Sequence, residues 1–112
     1  MRHPRSFGSF PKVIEEYVVR DKKLSIELAI NKMTGQTAKI FDIQSRGILK
    51  KGMGADILIM DIENVKANTT WTDIFAVPSG FEYVIVNGQV TDTSVKSSEP
   101  TYGRVLLKHK ED

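Results

Sequence analysis

The stretch Arg46 to Asp61 constrains this chain more than any other: Arg46-Gly47-Ile48-Leu49-Lys50-Lys51-Gly52-Met53-Gly54-Ala55-Asp56-Ile57-Leu58-Ile59-Met60-Asp61. Three glycines divide it into a short apolar step (Ile48, Leu49), a tight turn (Lys50 to Gly54) and a strand (Ile57 to Met60). Glycine is the residue a chain uses where it turns sharply or takes positive φ. The unbroken apolar run Ile57-Leu58-Ile59-Met60 suits a strand covered on both faces, and Asp56 and Asp61 end it cleanly. The stretch reads as a sheet nucleus entered through a turn.

Before it the pattern is helical. Pro4 biases His3 away from helical backbone and Gly8 permits a turn, so His3 to Gly8 reads as irregular. Ser9 is the expected N-cap of a first helix, with Pro11 in its first turn. That helix runs to about Arg20, with Val13, Ile14, Tyr17 and Val18 inward and Lys12, Glu15 and Glu16 outward. Ser25 caps a second helix, with Leu24 stapled onto Ala29. Ile26, Ala29, Ile30 and Met33 form its apolar stripe, and Gly35 is the expected left-handed end. A short third helix is expected over Thr37 to Phe41, with Ala38, Ile40 and Phe41 inward.

Beyond Asp61 the chain loosens. Asn64 to Asp73 is rich in Asn and Thr, carries the single tryptophan Trp71, and reads as a surface excursion. Tyr83 to Val86 then meets Asn87-Gly88, the strongest short hairpin signal, and Gln89 to Thr91 returns. Thr93 to Thr101 reads as a loop, Arg104 to Leu107 as a last strand, and Lys108 to Asp112 as a frayed tail. Helices first and strands afterwards make an α+β chain: two to three N-terminal helices followed by a small antiparallel β-sheet.

Composition narrows the function classes. A chain of 112 residues, 40% hydrophobic and 27% charged, has the balance of a soluble globular domain or part of one. No apolar run reaches the length of a bilayer span, and no signal-peptide pattern is read at Met1 onward. With no cysteine there are no disulfides, thiolate nucleophiles or Cys-based zinc sites, and the expected compartment is cytoplasmic. The 16 basic and 14 acidic residues leave a net charge of +2, and the cations are scattered. A nucleic-acid surface gathers them into a stripe or cluster, so a solvated surface is expected instead.

Candidate chemistry is sparse. Histidines occur only at His3 and His109, with no His-x-His or His-Glu-x-x-His spacing, so this chain is expected to bind no metal by itself. Asp56 and Asp61 read as strand-end turn residues and Glu15-Glu16 as a solvated helix face. Ser6 and Ser25 have no neighbouring base, and Gly52-x-Gly54 precedes a strand where a dinucleotide fingerprint follows one.

The glycine-bounded stretch also resembles the C-terminal signature of the amidohydrolase superfamily, metal-dependent hydrolases with a TIM barrel and a small composite β-sandwich. Tyr83-Val84-Ile85-Val86-Asn87-Gly88-Gln89-Val90 is similar to that superfamily's closing hairpin. His3-Pro4-Arg5-Ser6-Phe7-Gly8-Ser9-Phe10-Pro11 and Lys32-Met33-Thr34 narrow the likeness to the N-acyl-D-amino-acid deacylase (D-aminoacylase) branch. The likeness begins abruptly at Arg2-His3, so Met1 is expected to be an added start on an excised segment.

That resemblance implies a division: 1–45 as the helical segment after the last barrel strand, 46–108 as part of the small sandwich, and 109–112 as a tail. It implies that the full-length enzyme uses zinc to hydrolyse the amide of an N-acyl-D-amino acid, giving a carboxylate and a free D-amino acid. The metal ligands and catalytic aspartate of the family lie upstream of the matched region. This piece is therefore expected to carry no catalytic or metal residue, to be inactive alone, and to have the rest of its own chain as partner, with an unpaired sheet edge. The segment containing His3 and Arg5 matches the loop after the last barrel strand, where barrel active sites gather, so both residues are expected at the rim of the substrate site. Arg5 suits a substrate carboxylate, because its planar fork takes one bidentately; the plainer reading is that His3-Pro4-Arg5 fixes a turn. A different class stays open, a small standalone β-module binding RNA or a protein partner, because Gly47 to Gly52 and its strand also resemble the turn of SH3-like RNA-binding barrels.

Overall fold

The computed structural model describes residues 3–91 and 102–107. The loop expected over Thr93 to Thr101, together with His109 and the tail 109–112, lies outside them. Helix α1 (Arg5–Lys12) continues directly as a π-helix (Val13–Arg20), followed by α2 (Ile26–Met33) and α3 (Gly35–Ile40). Then come β1 (Ile57–Met60), a 3-10 turn (Ile62–Asn64), β2 (Phe81–Val86) and β3 (Gln89–Thr91). The chain is α+β, with its helices ahead of its three-stranded sheet.

The first helix starts earlier than expected. Pro4 takes a helical φ of −52°, and the His3 carbonyl already accepts the Ser6 N–H at 3.0 Å. Proline is suited to a helix's first turn because its fixed φ is helical and its missing N–H would have had no partner there. Ser9 is therefore inside the helix rather than its cap, and its Oγ donates to the Arg5 carbonyl at 2.6 Å. Pro11 is also interior. It removes one rung of the ladder and crowds the carbonyl four residues back. The hydrogen bonds widen just beyond it, and at the end of the π-helix Asp21 N–H reaches the Glu16 carbonyl at 2.8 Å. Lys22, in left-handed backbone at φ 49°, ends the run.

Ser25 caps α2 as expected, its Oγ accepting the Leu28 N–H at 3.2 Å. Gly35 does not end that helix. It opens α3, and the break falls at Thr34, whose φ of −128° and ψ of −89° leave helical space. Ala38 is buried as expected, but Ile40 and Phe41 are 69% and 67% exposed, so the inward expectation fails for both.

By contacts the described chain forms two compact units. One holds Met1–Ala29 and Met60–Glu82, with Ile14, Ala29, Val65 and Ala67 as its core. The expected surface excursion thus contains the centre of this unit, with Val65 only 1% exposed. Lys66 and Ser79 exchange backbone hydrogen bonds at 3.1 and 3.0 Å, which satisfies the polar backbone as the flanking side chains are buried. Gly80, at φ 88°, lies so close that a Cβ there would stand 2.6 Å from the Val65 backbone.

The second unit holds Ile30–Ile59 and Tyr83–Asp112. Its sheet runs in the order β1-β2-β3. β2 and β3 are antiparallel, with Val86 opposite Gln89 across Asn87-Gly88. Both turn residues have positive φ, 50° and 79°, the primed geometry whose twist matches the strands. Leu58 and Ile59 on β1 are about half exposed, contrary to a strand covered on both faces. Arg104 to Leu107 forms no strand.

Gly80 and Gly88 share left-handed backbone, but nothing lies within 4 Å of a Cβ at Gly88. Gly88→Ala should cost only about 1–2 kcal/mol of backbone strain, while Gly80→Ala adds a steric clash for a total of roughly 2–5 kcal/mol. Urea denaturation of the two variants checks the order. At the end of the π-helix, the hydrogen bond from Arg20 holds the Asp21 carboxyl below its ordinary range, the nearby cationic charge adding to it. A depressed folded value means that the pair stabilises the fold above the ordinary aspartate range and loses that contribution as pH falls below that range through the depressed value. An NMR titration of Asp21 should show a low midpoint that rises toward the ordinary value in Arg20→Gln.

Candidate functional site

The expected site residues meet in a cleft of about 310 Å³ in the first unit, lined by His3, Arg5, Gly8, Lys12, Thr69 and Trp71 among others. Its two walls come from distant parts of the chain, the start of α1 and the segment 69–71. Contacts at intervals along the helix hold the walls together. The His3 ring stands edge-on to Trp71, with centroids 4.5 Å apart and planes at 69°. Phe7 tilts against Phe75 at 4.9 Å. Gly8 is buried against Thr69, whose side chain would collide with any Cβ at that position. Farther along, the Ala67 N–H donates to Glu15 Oε2 at 2.9 Å, and Lys66 Nζ stands 4.0 Å from the same carboxylate. Segment 67–71 therefore runs antiparallel to the helix.

Glu15 was expected on a solvated face, and its bond to the buried Ala67 backbone corrects that. Glu16 is half-buried to the same degree and pairs instead with two exposed cations, Lys12 at 3.7 Å and Arg20 at 3.6 Å.

His3 caps the helix. The formal cap position, Pro4, has no side-chain acceptor, and His3 Nδ1 one residue earlier accepts the Arg5 N–H at 3.0 Å. An accepting Nδ1 carries no hydrogen, so the neutral ring bears it on Nε2. Sequence reasoning missed this cap because histidine is outside the usual set of Ser, Thr, Asp and Asn. The available signal was Pro4, whose preference for the first helical position marks the residue before it. Arg5 itself is exposed and lines the cleft, and its guanidinium makes no hydrogen bond to another described residue.

In the second unit the flanking aspartate Asp56 has a structural partner set. Its Oδ2 pairs with Arg46 Nε at 2.8 Å and its Oδ1 accepts the Asn87 N–H at 2.9 Å. Arg46, only 17% exposed, also donates to Asn87 Oδ1 at 2.6 Å, so one guanidinium ties the start of β1 to the hairpin turn. Asp61 accepts from Asn64 Nδ2 at 2.7 Å, as a strand-end turn residue does. Among the described residues no group of three or more His, Asp or Glu side chains could hold a metal ion. These residues do not fit a zinc site.

Comparison with known proteins places the chain in a class. The amidohydrolase family matches residues 2–92, and this chain belongs to that family. It is 38% identical over 107 residues to an N-acyl-D-glutamate deacylase of Alcaligenes xylosoxydans xylosoxydans, covering 95% of this chain and 22% of that one. A crystal structure of D-aminoacylase, described as defining a novel subset of amidohydrolases, superposes with a TM-score of 0.87 at 32% identity, again over 95% of this chain and 22% of the other. An N-acyl-D-glutamate deacylase from Bordetella bronchiseptica, solved with zinc and a phosphonate mimic of the tetrahedral intermediate, superposes with a TM-score of 0.78 at 33% identity, over 91% of this chain and 21% of that one. The chain spans about a fifth of the length of these relatives. No helix among the described residues is long and apolar enough to cross a membrane.

Removing the Glu15 side chain should leave the buried Ala67 N–H without a partner. Glu15→Ala is expected to destabilise by about 1–3 kcal/mol, and Glu15→Gln, which keeps a carbonyl acceptor, by distinctly less. Thermal unfolding of the pair measures the difference.

Proposed function

We propose that this chain is the C-terminal structural part of a zinc-dependent amidohydrolase that hydrolyses N-acyl-D-amino acids to a carboxylate and a free D-amino acid. The observation that carries the reading is the superposition on D-aminoacylase over 95% of this chain at 32% identity, joined to deacylase relatives of the same branch. In this reading 1–45 follows the last barrel strand, 46–108 forms part of the small sandwich, and 109–112 is a tail. The partner is the rest of the same polypeptide, which supplies the zinc site and the catalytic carboxylate, and the compartment is the cytoplasm. The exposed Ile40, Phe41 and Leu49 are apolar surface for that remainder to cover.

His3 and Arg5 stand at the rim of the substrate site. Arg5 offers a planar cation from the wall of an open cleft and takes the carboxylate of the amino acid bidentately. The amino-acid side chain and acyl group are read by residues outside this chain.

The test uses the full-length protein that contains this segment. It should release amine from N-acyl-D-amino acids, lose that activity to a chelator and recover it with zinc, while the 112-residue chain alone stays inactive. A metal-loaded full-length protein that leaves every N-acyl-D-amino acid intact overturns the reading. Arg5→Ala should raise KM about ten- to hundred-fold, as expected for losing a charge-assisted bidentate contact, and Arg5→Lys by less. Steady-state kinetics with D- and L-substrates provide both measurements.

A further inference from the structure

We propose that His3 is a positioning residue whose role is to aim Arg5 into the cleft, with Trp71 as its brace; the inference rests on the reading of Arg5 as the carboxylate-binding residue. Two groups of the His3 ring are already engaged within the protein. Nδ1 accepts the Arg5 N–H at 3.0 Å, and the ring meets Trp71 edge-on at 4.5 Å. The first contact fixes the backbone that carries the Arg5 side chain. The second fixes the ring that makes the first.

Trp71 is itself held by a local turn. Thr70 N–H donates to the Asp73 carbonyl at 3.0 Å, and Asp73 N–H returns a bond to Thr70 Oγ1 at 2.9 Å. Behind it Gly8 sits directly on Thr69, so α1 cannot slide along segment 69–71 without a collision. A chain of contacts thus runs from the turn 70–73 through Trp71 and His3 to the backbone of Arg5. Arg5 has no side-chain hydrogen bond to another described residue, so its direction is set from the backbone end. A long side chain aimed that way is sensitive to small rotations of its root. A substrate carboxylate gains from a guanidinium already in place, because less ordering is left for the binding step.

The mechanism separates two features of the imidazole. Asparagine carries its carbonyl oxygen near the position of Nδ1 and is among the best helix caps, so His3→Asn keeps the acceptor and loses the ring. His3→Ala loses both. Trp71→Phe keeps an aromatic partner for His3, and Trp71→Ala removes it.

The experiment is steady-state kinetics of the full-length, zinc-loaded enzyme on an N-acyl-D-amino acid, with a double-mutant cycle between positions 3 and 5. His3→Ala is expected to raise KM about tenfold with kcat nearly unchanged, as loss of aim at a binding group would do. His3→Asn should restore most of the affinity, and Trp71→Ala should raise KM where Trp71→Phe does not. In an Arg5→Ala background His3→Ala should add nothing to KM. An Arg5→Ala effect on KM together with an unchanged KM in His3→Ala, or an equal His3 effect with and without Arg5, overturns the positioning role while leaving Arg5 in place. An unchanged KM in Arg5→Ala overturns the reading beneath it as well. Should His3→Ala fail to fold, His3→Asn and Trp71→Ala decide: a parental KM in the first with a raised KM in the second supports the role, and any other pairing overturns it.

Discussion

The backbone N–H of Ala67 is buried beside a helix, and the Glu15 carboxylate is what satisfies it. A buried donor without an acceptor costs about 1–3 kcal/mol, so this contact fixes where segment 67–71 lies. Once Ala67 is docked, Thr69 falls on Gly8 and Trp71 falls on His3, each one step nearer the helix start. The cleft is the far end of that alignment. Glu15 lies well away from Arg5 along the helix, yet the register of the wall facing Arg5 begins at Glu15.

What could be read from the sequence was local. The strand Ile57 to Met60, the Asn87-Gly88 hairpin and the Ser25 cap each depend on a few adjacent residues whose backbone preferences agree, and each stands where it was expected. Helix ends at Pro4 and Thr34 were misread locally, while the larger failures originate in contacts between distant residues. Segment 64–73 looks like a polar surface loop until Ser79 returns to satisfy Lys66 and lets Val65 and Ala67 be buried. Glu15 looks solvated on a 3.6-residue wheel, and an N–H 52 positions away at Ala67 claims its carboxylate. Of the site, His3 and Arg5 were legible only through resemblance, and Trp71 as the partner of His3 was not legible, because nothing local to either residue specifies the other.

The two aspartates flanking β1 show how a carboxylate can be assigned by its neighbours. Asp56 has a guanidinium at 2.8 Å and a backbone N–H at 2.9 Å, an arrangement that uses its oxygens to tie strand to turn. A carboxylate with both oxygens committed to neighbours suits a structural tie and not proton transfer. Arg46 reads the same way: the start of β1 and the hairpin turn converge on its one rigid fork, and a lysine could not reproduce that geometry.

The paired backbone hydrogen bonds between Lys66 and Ser79 form the neck of a loop that carries Thr69, Trp71 and Phe75. Below the neck lies the buried Val65; above it lies one wall of the cleft. Closure entropy grows slowly with loop length, about 0.6 kcal/mol for each doubling. Lengthening the loop above the neck therefore costs little in closure, provided Ala67 and Thr69 keep their contacts with the helix at Glu15 and Gly8. The neck and those two contacts together act as the joint, and only the lining beyond them is free to change without moving the helix it faces.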